Sequence, residues 1–317
     1  MVQNPRTSET DSTPTTGRNT RFTRRNYVRS LAAVATATTA IGGTGSVAAQ
    51  DDYEVIEAQG QTITIDAGQT WENKLIDMTT GQDIVITAHS SDWTIRNIGF
   101  KGENTSATGT ATFGISDTAG GTCTVENVYL GDGSSRGNGN PNGHGQTAFW
   151  VAPNHSGHID FTNVNIQNFA DNAIYGSAPG TKGGGTIHID SCFAANCYVS
   201  HFRLATEGSK VTNSSVYVDS DEGYVGRGIW GWAPGPIEVK DCQIEMNGQN
   251  SSIVAGANGK PTELVVKNSD YDEQAGINEH AGSNVKLGEN VGTNPEASIP
   301  KGVPTSPKQA ASGSNNN

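Results

Sequence analysis

A five-residue phrase recurs along this chain and constrains its fold more than any other feature. It reads apolar, any, apolar, any, then Asn or a small polar residue. Its copies run through Trp93, Ile95 and Asn97; Cys123, Val125 and Asn127; Ile159, Phe161 and Asn163; and Ile187, Ile189 and Ser191. They continue through Ser209, Val211 and Asn213; Ile237, Val239 and Asp241; and Leu264, Val266 and Asn268. By subtraction the fifth residues lie 30, 36, 28, 22, 28 and 27 positions apart. A repeat of that size marks a solenoid. The alternation within each copy has period two, so the copies are strands. The phase then slips: Ile95 and Ile98 both need to face inward, yet they are three apart. A tight corner at Asn97 reconciles them, because Asn tolerates the left-handed backbone region.

A third apolar segment lies between successive phrases. It is seen at Phe113, Phe149, Ile174, Phe202, Ile229, Ile253 and Ile277. Each rung therefore has three short strands around a triangular core. The expected fold is all-β, a single-stranded right-handed parallel β-helix with three-strand rungs. A β-sandwich made from the same strands is the alternative, but it has no reason to repeat a corner residue at rung spacing.

Aligning the third strands on their inward residue leaves an outward column of Gly114, Trp150, Tyr175, Arg203, Trp230, Val254 and Asn278. Three aromatics and one Arg occupy four consecutive rungs, a span of about 14 Å. His201 is also outward, and Trp232 and Arg227 flank Trp230 on its strand. Core packing does not explain aromatics set in a row toward water. Sugar rings present apolar CH faces that stack on such side chains. Trp150, Tyr175, Trp230, Trp232 and Arg227 are therefore the candidate substrate-binding residues. The competing expectation is that loops 131–146 and 219–226 cover the column and make it a second small core. Asp171, Glu207, Asp219, Asp221 and Glu222 line neighbouring loops. They fit either Ca²⁺ ligands or an acidic solvated patch.

The corner Asn between second and third strands resembles that of the pectate-lyase-like β-helix superfamily, over about residues 60–292. The resemblance speaks to fold and much less to activity, since that superfamily holds lyases, hydrolases, esterases, adhesins and phage spikes. It implies a substrate cleft on the sheet that carries the aromatic column. In the lyases, an Arg or Lys removes the proton beside a uronate carboxylate, and carboxylate-held Ca²⁺ neutralises that carboxylate. Carried over, the catalytic candidates are Arg203 and His201, and the metal candidates are Asp171, Asp219, Asp221 and Glu222. Free Arg stays protonated, so a clamp on the carboxylate is chemically easier for Arg203 than proton removal. Asn142, Gly143, His144 and Gly145 resemble the Gly-His-Gly of galacturonan hydrolases. The Asp-rich segment here lies downstream of that motif, where those enzymes place it upstream. His155 and His158 flank a turn and do not by themselves define a metal site.

Three functions are thus expected of this face. The first is binding, and in its enzymatic form β-elimination, of an acidic polysaccharide. The second is a non-catalytic carbohydrate-binding adhesin. The third is a surface or spike component that assembles through the column, although nothing in the sequence specifies an oligomer.

The ends of the chain read differently. Arg24 and Arg25 stand in a twin-arginine signature, followed by a weakly apolar run at 31–41 and small residues at Val47, Ala48 and Ala49. Residues 1–50 are expected to be an export signal for the folded protein, placing the mature chain outside the cell. That run is too short and polar to span a bilayer, and no second hydrophobic stretch follows. Without residues 1–50, which hold six Arg and two acids, 14 basic residues face 30 acidic ones. The formal net charge is then −16, against −12 for the whole chain. Such a surface disfavours nucleic acid and anionic membranes. Its composition resembles that of haloarchaeal secreted proteins. Residues 51–92 are expected to form the N-terminal cap and first rungs, 93–299 the β-helix, and 300–317 a disordered Pro-, Ser- and Gly-rich tail. Cys192 and Cys242 sit two strand spacings apart, about 9.6 Å. A disulfide needs about 7 Å between Cα atoms. Buried thiols are the default for all four Cys, with closure of Cys192 on Cys197 left open.

Overall fold

In the computed structural model, strand follows strand in parallel and in chain order. The structure describes residues 52–105, 111–135, 144–219, 221, 223–257 and 259–314. The expected export signal, part of loop 131–146 and Glu222 lie outside the described residues.

One stack holds Glu54–Glu57, Thr70–Asp77, Thr94–Lys101, Thr122–Leu130, His158–Gln167, Thr186–Asp190, Lys210–Thr212, Ile237–Lys240, Glu263–Lys267 and Asn284–Leu287. The longer members run straight through the corner. Farther up, the post-corner face is carried by the separate strands Phe193–Ala195, Ser215–Tyr217, Gln243–Glu245 and Asp270–Tyr271. The third sheet stacks Gln61–Thr64, Ile84–Ala88, Ala111–Ile115, Thr147–Val151, Ile174–Gly176, Ser200–Leu204, Arg227–Gly231, Ile253–Ala255 and Ile277–Glu279. The chain is a right-handed parallel β-helix, the hand that twisted parallel strands joined by crossovers take. Rungs already pair in register at Glu54, so residues 54–92 continue the same coil.

The corners explain the slipped phase. Asn97, Asn127, Asn163, Ser191, Asn213, Asp241 and Asn268 all have positive φ, between 47° and 57°. Asn73 and Asn290 extend the series at both ends, with φ of 55° and 53°. For a residue with a Cβ this backbone costs about 1–2 kcal/mol, least for Asn and Asp. Rung-to-rung hydrogen bonds offset it. Asn97 Nδ2 donates to Asn73 Oδ1, and Asn127 Nδ2 to Asn97 Oδ1, both at 2.8 Å. Asn290 Nδ2 donates to Asn268 Oδ1 at 3.1 Å.

Inside, the third-strand apolar residues pair rung by rung as Ile86, Phe113, Phe149, Ile174, Phe202, Ile229, Ile253 and Ile277. Phe113 and Phe149 stack with ring centres 4.5 Å apart. The four cysteines are free and buried, and burial pushes each thiol up to about 12. Among the described residues no helix is long and apolar enough to cross a membrane.

The C-terminal segment corrects the expected disordered tail. From Glu296 it runs back down the outer face of the post-corner strands as a strap. Backbone N–H groups of Glu296 and Ala297 donate to Gln243 Oε1 and Glu245 Oε2, both at 2.9 Å. Val303 is buried with Phe193 and Ala195. Asn165 Nδ2 donates to Pro304 O at 2.8 Å, and Asn127 Nδ2 to Ala310 O at 3.1 Å. A short helix, Pro307–Ala311, is capped by Ser306, whose side chain accepts from Gln309 N, and it buries Ala310 and Ala311. Beneath the strap lies an outward column in register: Leu75, Gly99, Tyr129, Asn165 and Phe193. All its large side chains are buried, which only a covering segment achieves.

Candidate functional site

The third sheet assembles the candidate column in register. Trp150 pairs with Tyr175, Tyr175 with Arg203, and Arg203 with Trp230 as Cα partners. Each follows a buried apolar residue, so alternation turns it to the outer face.

The aromatics do not stand as a bare row. The Arg203 Cζ lies 3.9 Å from the Tyr175 ring centre, 4.0 Å from Trp232 and 4.9 Å from Trp230. Its Nε donates to Ser177 Oγ at 2.7 Å. Three rings thus wall in a guanidinium whose residue is only 7% exposed. Burial lowers its pKa, while Tyr175 and Asp171 act in the other direction. Cation–π contacts of this desolvated kind contribute about 2 kcal/mol. They do not replace a counter-ion, and Arg203 has no ion-pair partner among the described residues. An Arg side chain stays protonated in proteins, and here its Nε is already donating. The expected base role is therefore corrected: the geometry suits an anion contact and not proton uptake.

Trp230 and Trp232 lie 5.2 Å apart. The Trp230 indole N–H donates to Gly256 O at 3.0 Å. The Trp232 indole nitrogen is buried and has no acceptor among the described residues. Arg227 places its Cζ 4.4 Å from the Trp230 ring, and its Nη1 donates to Val199 O at 3.3 Å. Trp150 stands apart, edge-on to His89 at 6.5 Å.

The turn leading into the third sheet carries a second group. His144 Nδ1 lies 3.3 Å from Asp171 Oδ2. Asn172 Nδ2 donates to Asp171 Oδ1 at 2.5 Å, and Ser200 Oγ donates to Asn172 Oδ1 at 2.6 Å. Asn172 and Ser200 are buried, so this chain of bonds fixes the carboxylate. Burial raises the Asp171 pKa, opposed by His144, Asn172 and Arg203. The His144 ring meets Tyr198 edge-on at 6.0 Å, and Tyr198 meets Tyr224 at 6.1 Å. The Gly-His-Gly motif pointed at His144, but sequence order gave no reason to pair it with Asp171.

Several candidates take other roles. His201 is fully buried; its Nδ1–H donates to Arg227 O at 2.8 Å and its Nε2 accepts from Cys197 N at 3.2 Å. Burial pulls its pKa down to about 4. With both nitrogens held by backbone, it has none left for a substrate. The described members of the metal set, Asp171, Asp219 and Asp221, are not brought together as a metal site either. Asp219 closes a turn: its N–H donates to Asn196 Oδ1 at 2.8 Å, and its Oδ1 accepts from Asp221 N at 3.0 Å. Asp171 is engaged by His144. Among the described residues no group of three or more His, Cys, Asp or Glu is placed to hold a metal ion. His155 is buried, with Nδ1 accepting from Asp117 N and Nε2–H donating to Thr186 O, both at 3.0 Å. His158 contacts Thr186 Oγ1 at 2.7 Å and Asp160 Oδ1 at 3.0 Å.

The sequence matches no protein-family model and no curated protein. The structure is similar to a trypsin-treated variant of QnrB1, a plasmid-mediated fluoroquinolone resistance protein. The match is 9% identical, covers 74% of this chain and 91% of that one, and has a TM-score of 0.23. A score that low bears on neither fold nor function.

Proposed function

We propose that the exported chain binds an acidic polysaccharide along the outer face of the third sheet, with a uronate carboxylate at Arg203. The observation that carries this reading is a buried cation without an ion-pair partner beside a buried donor without an acceptor. The buried Arg203 guanidinium has no ion-pair partner among the described residues, and the Trp232 indole N–H beside it has no acceptor. A buried charge without a counter-ion and a buried donor without an acceptor are both unfavourable. A carboxylate satisfies both, and the half-buried rings of Trp150, Tyr175 and Trp230 offer flat apolar surface for the sugars on either side.

Calorimetric titration with polygalacturonate, alginate and a neutral glucan of equal length tests it. Binding to at least one polyuronate and not to the glucan is expected. Arg203→Met should weaken it at least tenfold, since a hydrogen bond to a charged group is worth about 1.5–3 kcal/mol. Equal affinity for glucan and polyuronate, or no loss in Arg203→Met with an unchanged melting curve, would overturn the reading.

A further inference from the structure

We propose that Asn154 is an attachment site for an N-linked saccharide, with Ser156 as the hydroxyl that completes its acceptor sequence; this rests on export and not on the binding reading. The sequence Asn-x-Ser/Thr, with x any residue but Pro, is the acceptor for such a transfer. It occurs at Asn104, Asn154, Asn213 and Asn250. The export signal expected at 1–50 passes a folded chain, so native accessibility selects among these sites. Asn104 is buried, and its amide donates to Gln146 Oε1. Asn213 is a corner residue whose Nδ2 donates to Asp190 Oδ1 at 2.7 Å, and Ser214 and Ser215 behind it are buried. Asn250 Nδ2 donates to Val225 O at 3.1 Å, and the buried Ser252 Oγ donates to Asp272 O at 2.8 Å. Each of these three spends its amide within the fold.

Asn154 and Ser156 are placed differently. Both are exposed, and neither side chain has a hydrogen-bond partner among the described residues. The local turn accounts for this. His155 N donates to Ala152 O at 3.0 Å, closing a four-residue turn with Pro153 at its second place and Asn154 at its third. Pro pre-sets the backbone of that second place. His155 is fully buried, and its ring nitrogens are held by Asp117 N and Thr186 O. The middle residue of the acceptor sequence is therefore an anchor, and the residues on either side of it face solvent. In the transfer, Asn154 Nδ2 attacks C1 of a saccharide carried on a lipid phosphate. The N–C1 bond forms, and the C1–O bond breaks with its electrons on the phosphate oxygen. The amide gives up one proton to a base of the transferase. The saccharide donor and the transferase are both supplied by the exporting cell.

The test expresses the full chain with its leader in a cell that N-glycosylates exported proteins, beside an exported control protein that is modified there. The chain recovered outside the cell should be heavier than its mature sequence by whole sugar residues. Tandem mass spectra should place that increment on the peptide spanning Asn154. Asn154→Gln and Ser156→Ala should each remove it, whereas Ser156→Thr and Asn250→Gln should keep it. An unchanged melting curve in Ser156→Ala separates loss of the acceptor from loss of the fold. An unmodified Asn154 beside a modified control, an increment that survives Ser156→Ala, or sugar at Asn213 or Asn250 in its place would overturn the assignment. Polyuronate affinity does not enter these measurements, so the binding reading stands or falls separately. Absence of the chain outside the cell would remove export and this assignment with it.

Discussion

At the scale of single residues, the corners and His201 show how burial and local geometry divide the work. A corner Asn is chosen for its backbone, and the side chain then finds the next Asn one rung away. His201 is chosen for two backbone partners, and its burial makes its charged form costly. Its pKa, about 4 when folded, stands below the unfolded value of about 6.5. Above pH 6.5 this histidine's full contribution is present. As pH falls toward 4 the unfolded chain takes up a proton that the folded chain refuses, and about 3 kcal/mol is lost. Unfolding free energy measured by urea titration from pH 7 to 4 should therefore fall more steeply in the wild type than in His201→Gln. His89, His155 and His188 are also lowered by burial and act in the same direction, so the difference between the two curves isolates His201. Parallel curves would mean that His201 is not held neutral. The outward placement of His201 was legible from alternation alone. Its sealing by Arg227 O and Cys197 N was not, because both contacts depend on how turns from two rungs close over it. The same holds for Asp219, whose turn with Asp221 removes it from any metal set.

At the scale of elements, strand register was readable because each copy of the phrase carries its own phase. The inward series from Phe113 to Ile277, and hence the outward Trp150, Tyr175, Arg203 and Trp230, follows from alternation plus one corner. The phrase at Trp71 and Asn73 was missed because Gln69 takes its first apolar place. The strap was missed for a different reason. Its own apolar residues are sparse, and Pro, Ser and Gly dominate it. The signal lay in its docking site, where Leu75, Tyr129 and Phe193 are apolar at outward positions. Gly99 lies beneath Pro307, and a Cβ there would collide with the Pro307 carbonyl. Gly99→Val should lift the helix Pro307–Ala311 while leaving the rungs folded. Limited proteolysis should then cleave within 300–314 in Gly99→Val and spare that segment in the wild type, with the far-ultraviolet β signal unchanged in both. Protection of the segment in Gly99→Val would mean that the strap is held elsewhere.

At the scale of the whole molecule, charge and site oppose one another. The chain carries a formal net charge of −12, and the proposed ligand is a polyanion. Long-range repulsion slows their encounter, whereas the contact at Arg203 is short-ranged and enclosed by rings. Salt acts unequally on the two. Raising it from about 0.01 to 0.15 M shortens the Debye length from about 30 to 8 Å, which removes repulsion between distant charges and leaves a desolvated pair largely intact. Polyuronate binding should therefore tighten several-fold over that range, chiefly through a faster association rate. A basic groove that releases counterions from its ligand behaves in the opposite sense. Stopped-flow or surface-based association rates across the salt series measure this directly, with a neutral glucan as the control that should not respond. A rate that falls steadily with salt would require an extended basic surface. The 20 basic residues of the chain, set against 32 acidic ones and partly spent in rung-to-rung pairs such as Lys74–Glu54 and Arg96–Glu72, do not supply one.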